Sequence, residues 1–240
     1  MFPLVFAWFA AAAFAASLGF FLYAYLVPFG SEHGALRTAP FALSTRHPAL
    51  STAWNVLLFS VFALHHSVFA RTGIKRRVKT WVPASLERAV YTLVASVLFI
   101  LVCWWWLPVS GNAWRLDGAW RGLGYGVQAA GVVITLVGAR ALDVLDLAGV
   151  RQVLTTGPTH APLETRGLYG FVRHPVYFGW ALLVFGAPDM TFTRLVFAVV
   201  STLYLMIAIP FEERGLIETF GQEYASYQRK VRWRMFPRIW

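Results

Sequence analysis

The chain has 240 residues, of which 58% are hydrophobic and only 13% are charged. Ordinary soluble domains carry about 25% charged residues, so the composition excludes a typical soluble fold and indicates an integral membrane protein. The formal net charge of +10 does not indicate nucleic-acid binding, because Lys and Arg lie next to apolar segments, as membrane orientation and anionic lipid headgroups require. The chain has a single cysteine, Cys103, which lies in an apolar run. One cysteine cannot form a disulfide framework or a metal site built from several thiolates.

Six apolar segments in chain order predict an all-α, polytopic membrane protein with about six transmembrane helices. The fifth segment is short for a full span, so we expect it to be tilted or partly interfacial and to form a helical hairpin with the sixth. The first segment begins without a basic region and is too long for a cleaved signal. The predicted spans are Phe2–Phe29, Leu50–Ala70, Leu86–Leu107, Trp120–Leu142, Val176–Ala187 and Leu195–Phe211.

The basic residues predict the orientation of the chain. With six spans the two termini lie on one side, and the loops of that side carry most of the Lys and Arg, including the run Arg71–Lys79 and the tail Glu212–Trp240. The opposite loops carry only Arg37, Arg46 and Arg115. By the positive-inside rule both termini and the long polar segment Asp143–Arg173 are cytoplasmic.

The fourth predicted span contains five glycines, which are typical of close packing between neighbouring helices. They are Gly122, Gly124, Gly126, Gly131 and Gly138.

A polar cluster lies at the start of the fifth predicted span, between Gly167 and Trp180. It brings Arg173, His174 and Tyr177 to the boundary between water and lipid, where such groups are costly unless they are paired or serve a ligand. Most of the acidic residues of the chain also follow position 140. Carboxylates, a histidine, an arginine and aromatic rings together suit a zwitterionic, partly aromatic cofactor such as S-adenosylmethionine.

The C-terminal part of the chain carries a motif set in a fixed order. It reads Gly167-Leu-Tyr-x-x-x-Arg-His-Pro-x-Tyr-x-Gly-Trp180, Glu212-Glu-Arg-x-Leu216, Phe220-Gly-x-Glu-Tyr-x-x-Tyr227 and Pro237. It resembles the isoprenylcysteine carboxyl methyltransferase and phospholipid methyltransferase superfamily. The resemblance implies that S-adenosylmethionine is held on the cytoplasmic side by Tyr169, His174, Pro175, Val176, Tyr177 and Glu212.

The upstream half resembles a narrower branch, the bacterial methanethiol S-methyltransferases. The similar pieces are Ala63–Arg71, Pro83, Glu87 with Arg88, Tyr91 and Asp146–Val153. This resemblance implies a bacterial inner-membrane enzyme that methylates methanethiol to dimethyl sulfide, with a hydrophobic or volatile acceptor arriving from the bilayer. Isoprenylcysteine enzymes also place an arginine just before the paired glutamates, and Tyr204–Phe211 contains none. Isoprenylcysteine-type and phospholipid-type acceptors nevertheless stay open as alternatives.

The remaining candidates each have a structural alternative. Arg173 and Glu213 are further candidate cofactor-binding residues, and so are Gln152 and His160. If the acceptor is a thiol, its deprotonation needs a base, for which His66 and Asp146 are the candidates. Asp146 and Gln152 are equally suited to tie down their own loop.

A rival from another class is a non-catalytic membrane protein of a respiratory assembly that binds haem through His65 or His66. Adjacent residues lie about 100° apart on a helix, so we expect that these two rings do not face one ligand. No metal site is predicted. We expect one domain, in which residues 1–142 are a four-span scaffold and residues 143–240 are the cofactor-binding part.

Overall fold

The computed structural model describes residues 1–31, 47–69, 80–154 and 162–240. The loop Arg71–Lys79 and His160 therefore lie outside the described residues, as do Arg37 and Arg46. The described helices are α1 (Phe2–Leu26), α2 (Pro48–Phe69), α3 (Glu87–Trp104), α4 (Gly118–Ala141), α5 (Val144–Leu147), α6 (Arg151–Leu154), α7 (Pro175–Phe185), α8 (Phe192–Phe220) and α9 (Gln222–Lys230). Two short strands, β1 (Asn112–Arg115) and β2 (Asp189–Thr191), pair with each other.

The predicted all-α membrane fold is confirmed. Within the described parts of the chain, five helices are long and apolar enough to cross a membrane, namely α1, α2, α3, α4 and α8. The predicted fifth span corresponds to α7, which has 11 residues and is about 16 Å long at 1.5 Å per residue. It is therefore short, as its sequence indicates. The structure divides into two compact units.

Unit 1 comprises Met1–Ala113, Val144–His160 and Thr191–Val196. Small residues of α1 and α3 pack there against the segment around α5, in a buried cluster that includes Ala7, Ala89 and Val150. Arg194, at the start of α8, donates from Nε to the carbonyl of Tyr25 at 2.9 Å and from Nη2 to that of Leu26 at 2.8 Å. These carbonyls end α1 and have no partners within their own helix. The buried guanidinium thus replaces the missing helical donors.

Unit 2 comprises Trp114–Asp143, Ala161–Met190 and Phe197–Trp240. Its helices α4 and α7 run antiparallel, because Gly138 lies beside Val176 near one end and Gly124 beside Gly186 near the other. The C-terminal tail folds back onto α7 and α8, where Met235 is fully buried with Ala181 and Ile209. This packing brings the start of α7 close to the end of α4 and to the C-terminal tail.

The last long helix differs from its prediction. Its apolar run ends at Phe211, but α8 continues as one helix to Phe220, with Pro210 inside it. A proline inside a helix removes one backbone hydrogen bond and can kink the helix or end it. Here the helix continues past Pro210. Glu212 and Glu213 consequently lie on the long helix.

Candidate functional site

The segment that precedes α7 is held by the tail that follows α9. The backbone N–H of Arg173 donates to the carbonyl of Trp233 at 2.9 Å, and that of His174 donates to the carbonyl of Arg234 at 2.8 Å. His174 is the N-cap of α7 and Pro175 is its first residue, a position where proline is favoured because its missing N–H is not needed. The motif therefore fixes the direction in which α7 leaves the loop.

A buried ion network lies behind this segment. Arg173 donates from Nε to Glu213 Oε1 at 2.6 Å, and from Nη1 to the carbonyls of Val231 and Arg232 at 2.8 and 2.9 Å. Arg234 donates from Nε to Glu213 Oε2 at 3.2 Å. The side chains of Arg173 and Glu213 are only 7% and 4% exposed. Such charges are tolerated away from water only when they are paired and hydrogen-bonded, which is the arrangement seen.

A second carboxylate, Glu212, faces the other way. Its side chain is 43% exposed, and its Oε2 accepts a hydrogen bond from the Tyr177 hydroxyl at 2.7 Å. Nδ1 of His174 lies 3.8 Å from the same oxygen. The rings of His174 and Tyr177 stack, with centroids 5.4 Å apart and an interplanar angle of 3°. The structure thus brings together three of the predicted cofactor residues around an accessible negative charge.

Tyr169 forms the wall next to the end of α4. Its hydroxyl donates to the Gly138 carbonyl at 3.2 Å, and its own carbonyl accepts from the Tyr227 hydroxyl at 2.7 Å. Burial raises the pKa of Tyr169 above its ordinary value, and the charge of Glu212 raises it further, so that the phenol stays protonated and can donate. A cavity of about 210 Å³ opens beside Tyr169 and is lined also by Gly138, Glu164 and Arg166.

The first turn of α7 has one backbone donor left. Pro175 has no N–H, and the N–H groups of Tyr177 and Phe178 both donate to the His174 carbonyl, at 3.2 and 3.1 Å. Within the part of the chain that the structure describes, the Val176 N–H has no hydrogen-bond acceptor. A helix N-terminus with a free N–H attracts an anionic group. Among the described residues of this turn, Val176 therefore offers the backbone donor for such a group.

A family model described as the isoprenylcysteine carboxyl methyltransferase (ICMT) family matches residues 133–218. The chain is also 36% identical to methanethiol S-methyltransferase 2 of Bradyrhizobium diazoefficiens, over 74% of this chain and 70% of that protein. Methanethiol S-methyltransferase of Crocosphaera subtropica is 38% identical, over 74% and 71%. The chain belongs to the isoprenylcysteine carboxyl methyltransferase family. No solved structure matches it.

This family membership makes the protein a membrane methyltransferase and confirms the family resemblance of the C-terminal motifs. The similarity to Methanethiol S-methyltransferase of Pseudomonas deceptionensis is of the same extent, at 36% identity over 74% of this chain and 70% of that one. The methyltransferase interpretation is therefore favoured over the haem-binding rival. A methyltransferase needs a methyl donor.

Other predicted residues of this isoprenylcysteine carboxyl methyltransferase family member belong to unit 1. Gln152 donates from Nε2 to Asp146 Oδ1 at 2.8 Å and to the Asp146 carbonyl at 3.3 Å. These hydrogen bonds hold the loop between Asp146 and Gln152 together. This is the structural role that the sequence left open for the two residues. His160, the predicted adenine neighbour, lies outside the described residues.

His66 lies in an aromatic cluster of α2 and α3. Its Nδ1 and the Tyr91 hydroxyl are 2.9 Å apart. His65 stacks on the same Tyr91, with centroids 5.7 Å apart and an interplanar angle of 15°, and also on Phe69. Both histidine rings thus contact Tyr91, and the expectation that they do not face one ligand stays a prediction. Among the described residues, no three His, Cys, Asp or Glu side chains are grouped to hold a metal ion.

Two contributors to the site were missed or only partly understood from the sequence. Arg234 was seen only as a basic tail residue, although it completes the network around Glu213 and lies over the Trp240 ring at 5.2 Å. Tyr224 and Tyr227, which the sequence shows only as part of the C-terminal motif, are both buried. The spacing of the tyrosines was readable, but the partner of Arg234 lies 21 residues away and no local pattern connects them.

Proposed function

We propose that the protein transfers a methyl group from S-adenosylmethionine to a small thiol, with methanethiol as the acceptor and dimethyl sulfide as the product. The observation that carries this proposal is the similarity to proteins named methanethiol S-methyltransferase, at 36 to 38% identity over 74% of the chain. The candidate site is consistent with this proposal, because its exposed polar groups suit the amino acid portion of S-adenosylmethionine.

The residues at the start of α7 fit the donor's amino acid portion. Glu212 supplies a carboxylate for the α-ammonium group, and the Val176 N–H, at the positive end of α7, is a donor for the α-carboxylate. Tyr169 and Tyr177 form aromatic walls, and Pro175 sets the helix start. When bound, S-adenosylmethionine supplies a methyl group that is already activated on a sulfonium centre. The chain's contribution is then alignment and exclusion of water.

Arg173 and Glu213 have a different role in this proposal. Their side chains form hydrogen bonds with each other, with Arg234 and with backbone carbonyls. In this proposal they therefore support the residues that contact the cofactor and do not contact it themselves. We keep Gln152 and His160 as candidate cofactor neighbours. The contacts of Gln152 with Asp146 favour a loop-tying role for it.

The acceptor side of the proposal rests on α8. Its segment Tyr204–Phe211 contains no arginine, so a prenylcysteine carboxylate lacks a cationic partner there. A small uncharged thiol needs none, and it partitions into the bilayer from which it can reach an apolar helix face. His66 and Asp146 are the candidate bases for the thiol proton, and the pH profiles of His66→Ala and Asp146→Ala proteins separate them. We place the enzyme in a bacterial inner membrane with both termini cytoplasmic.

Methyl-labelled S-adenosylmethionine tests the function directly. Membranes that contain the protein are incubated with the labelled donor and either methanethiol or a prenylcysteine analogue, beside membranes that lack the protein. We expect label in volatile sulfide with methanethiol, and no label in a methyl ester with the analogue. Label in the ester alone would replace the thiol by a carboxylate acceptor, and label in neither product would overturn the proposal.

A further inference from the structure

His174 stands between two carboxylates that differ in exposure. Its Nε2 lies 3.4 Å from Oε1 of the buried Glu213, and its Nδ1 lies 3.8 Å from Oε2 of the exposed Glu212. The imidazole is itself 5% exposed and stacked on Tyr177, so that its ring plane is fixed. Which nitrogen carries the proton then follows from the surroundings of each nitrogen.

The surroundings of Nε2 require a proton there. Glu213 Oε1 is held by Arg173 at 2.6 Å and cannot turn away, since Oε2 of the same carboxylate is held by Arg234. A lone pair on Nε2 would face this negative oxygen at 3.4 Å, whereas an N–H there donates to it. At Nδ1 the separation of 3.8 Å from Glu212 is too long for a hydrogen bond. Neutral His174 therefore carries its proton on Nε2.

We propose that Glu213 is a positioning residue that holds His174 as the Nε2–H tautomer, so that Nδ1 and Glu212 Oε2 form a two-acceptor subsite for the α-ammonium group of the methyl donor. This inference rests on the proposed function and deepens it. An ammonium group has three donors and no acceptor, and the two atoms are 3.8 Å apart, a span that one such group can bridge. Arg173 and Arg234 serve the subsite indirectly, because they fix the Glu213 carboxylate.

The tautomer is measured by nitrogen NMR on the full-length protein with ¹⁵N-labelled imidazoles, in detergent micelles and without ligand. The chain has six histidines, and the His174→Gln protein identifies the signals of His174 by their loss. We expect an unprotonated Nδ1 and a protonated Nε2. Addition of S-adenosylhomocysteine, which retains the α-amino group, should shift the Nδ1 resonance. A proton on Nδ1 in the ligand-free protein overturns the proposal.

Binding measurements separate positioning from a general loss of structure. The probes are S-adenosylhomocysteine and 5′-methylthioadenosine, which lacks the amino acid end. In Glu213→Met no acceptor remains for Nε2–H, and we expect affinity for S-adenosylhomocysteine to fall by about tenfold or more while affinity for 5′-methylthioadenosine stays within about twofold. Equal losses for both probes would show a merely structural role and overturn the proposal.

Glu213→Gln is the second variant, because Glu213→Met leaves Arg173 without a counter-charge and can fail to fold. A glutamine retains an oxygen for Arg173 Nε and His174 Nε2, so the tautomer should persist and S-adenosylhomocysteine should bind within about threefold of the parent. A switch of the proton to Nδ1 without any change in affinity contradicts the subsite. A parent protein that binds neither probe refutes the proposed function instead, and the ligand-free NMR spectrum still decides the tautomer.

Discussion

Glu212 and Glu213 are neighbours in the chain, but α8 turns them into different surroundings. Successive residues of a helix point about 100° apart, so one carboxylate faces Tyr177 and solvent while the other faces Arg173, Arg234 and His174. The exposed fractions of the two side chains, 43% and 4%, reflect this difference. Glu212 is therefore accessible to a ligand, whereas Glu213 is buried and bound to its neighbouring side chains.

Glu212→Gln should weaken binding of the methyl donor without unfolding the protein. The variant removes the charge that we propose to face the donor's ammonium group, and a hydrogen bond to a charged group contributes about 1.5–3 kcal/mol, or about tenfold or more in affinity. Titration calorimetry with S-adenosylhomocysteine measures the loss. Glu218→Gln, an exposed glutamate on the same helix, is the matched control and should bind like the parent. An unchanged affinity in Glu212→Gln would remove this residue from the site.

Arg173→Gln should destabilise the fold far more than Arg234→Gln, although both arginines bind Glu213. Arg173 is buried, and removal of one partner of a buried pair costs about 3–5 kcal/mol. The side chain of Arg234 is 34% exposed, and ion pairs near the surface contribute about 1 kcal/mol or less. Unfolding in mixed micelles by added denaturing detergent compares the two. Equal losses would contradict this ranking and show that Arg234 contributes as much to the network as Arg173 does.

The motif from Arg173 to Tyr177 and the importance of the paired glutamates were predictable from the sequence, because residue type and spacing carry them. The different exposure of Glu212 and Glu213 was not predictable from the sequence. It depends on α8 continuing through Pro210 to Phe220, whereas the apolar pattern stops at Phe211. Hydropathy reports where a helix leaves an apolar environment, and it does not report where the backbone hydrogen bonds end.

At the scale of elements, three glycines seven residues apart join α4 to α7. A Cβ on Gly131 would lie 2.5 Å from the backbone nitrogen of Leu183 and 2.6 Å from the carbonyl oxygen of Gly179. Near the two ends of α7 the approaches are looser, because a Cβ on Gly124 would lie 3.0 Å from the Gly186 carbonyl oxygen and one on Gly138 would lie 3.0 Å from Val176 Cγ2. Such contact between backbones is typical of membrane helices, which associate by packing and not by the hydrophobic effect. It also sets the position of His174 at the start of α7.

Gly131→Ala should destabilise the protein, and Gly126→Ala should not. The atoms that oppose a side chain at Gly131 are backbone atoms, which cannot turn aside, so α7 must shift at a cost of about 1–3 kcal/mol. Nothing lies within 4 Å of a Cβ at Gly126 on the same helix. The unfolding midpoint in detergent and the affinity for S-adenosylhomocysteine measure both effects. A Gly131→Ala protein as stable as Gly126→Ala would contradict the tight α4–α7 contact.

Close packing of α4 was predictable because glycine is frequent in it, but the partner helix was not. Five glycines were counted as equivalent, whereas only Gly124, Gly131 and Gly138 recur every seven residues and face α7. Gly122 and Gly126 have nothing nearby. A seven-residue interval marks one face of a helix, since it covers nearly two turns, and it distinguishes the contact glycines from the open ones.

For the whole molecule, the decisive question of topology is whether α7 crosses the bilayer. It has 11 residues, about 16 Å of helix, against a hydrocarbon core of about 30 Å. Its contacts with α4, however, run from Gly138 to Gly124, which is about 21 Å along that helix. Beyond its end, the Pro188 carbonyl accepts from the N–H of Leu116, just before α4 begins. These contacts favour a crossing by α7 alongside α4, completed by the residues that follow it.

Cysteine labelling on spheroplasts should place Ala113 and Gln222 on opposite sides of the membrane. Five described helices separate them, of which α5 and α6 have only four residues each, so the candidates for crossing are α4, α7 and α8. Both labelled positions are exposed. With the buried Cys103 replaced by alanine, a membrane-impermeant maleimide should label Ala113→Cys on intact spheroplasts and Gln222→Cys only after permeabilisation, because the positive-inside rule predicts that the basic side of the chain is cytoplasmic. The reversed pattern would invert the orientation. Two cysteines on the same side would show that α7 does not cross, and the termini would then lie on opposite sides.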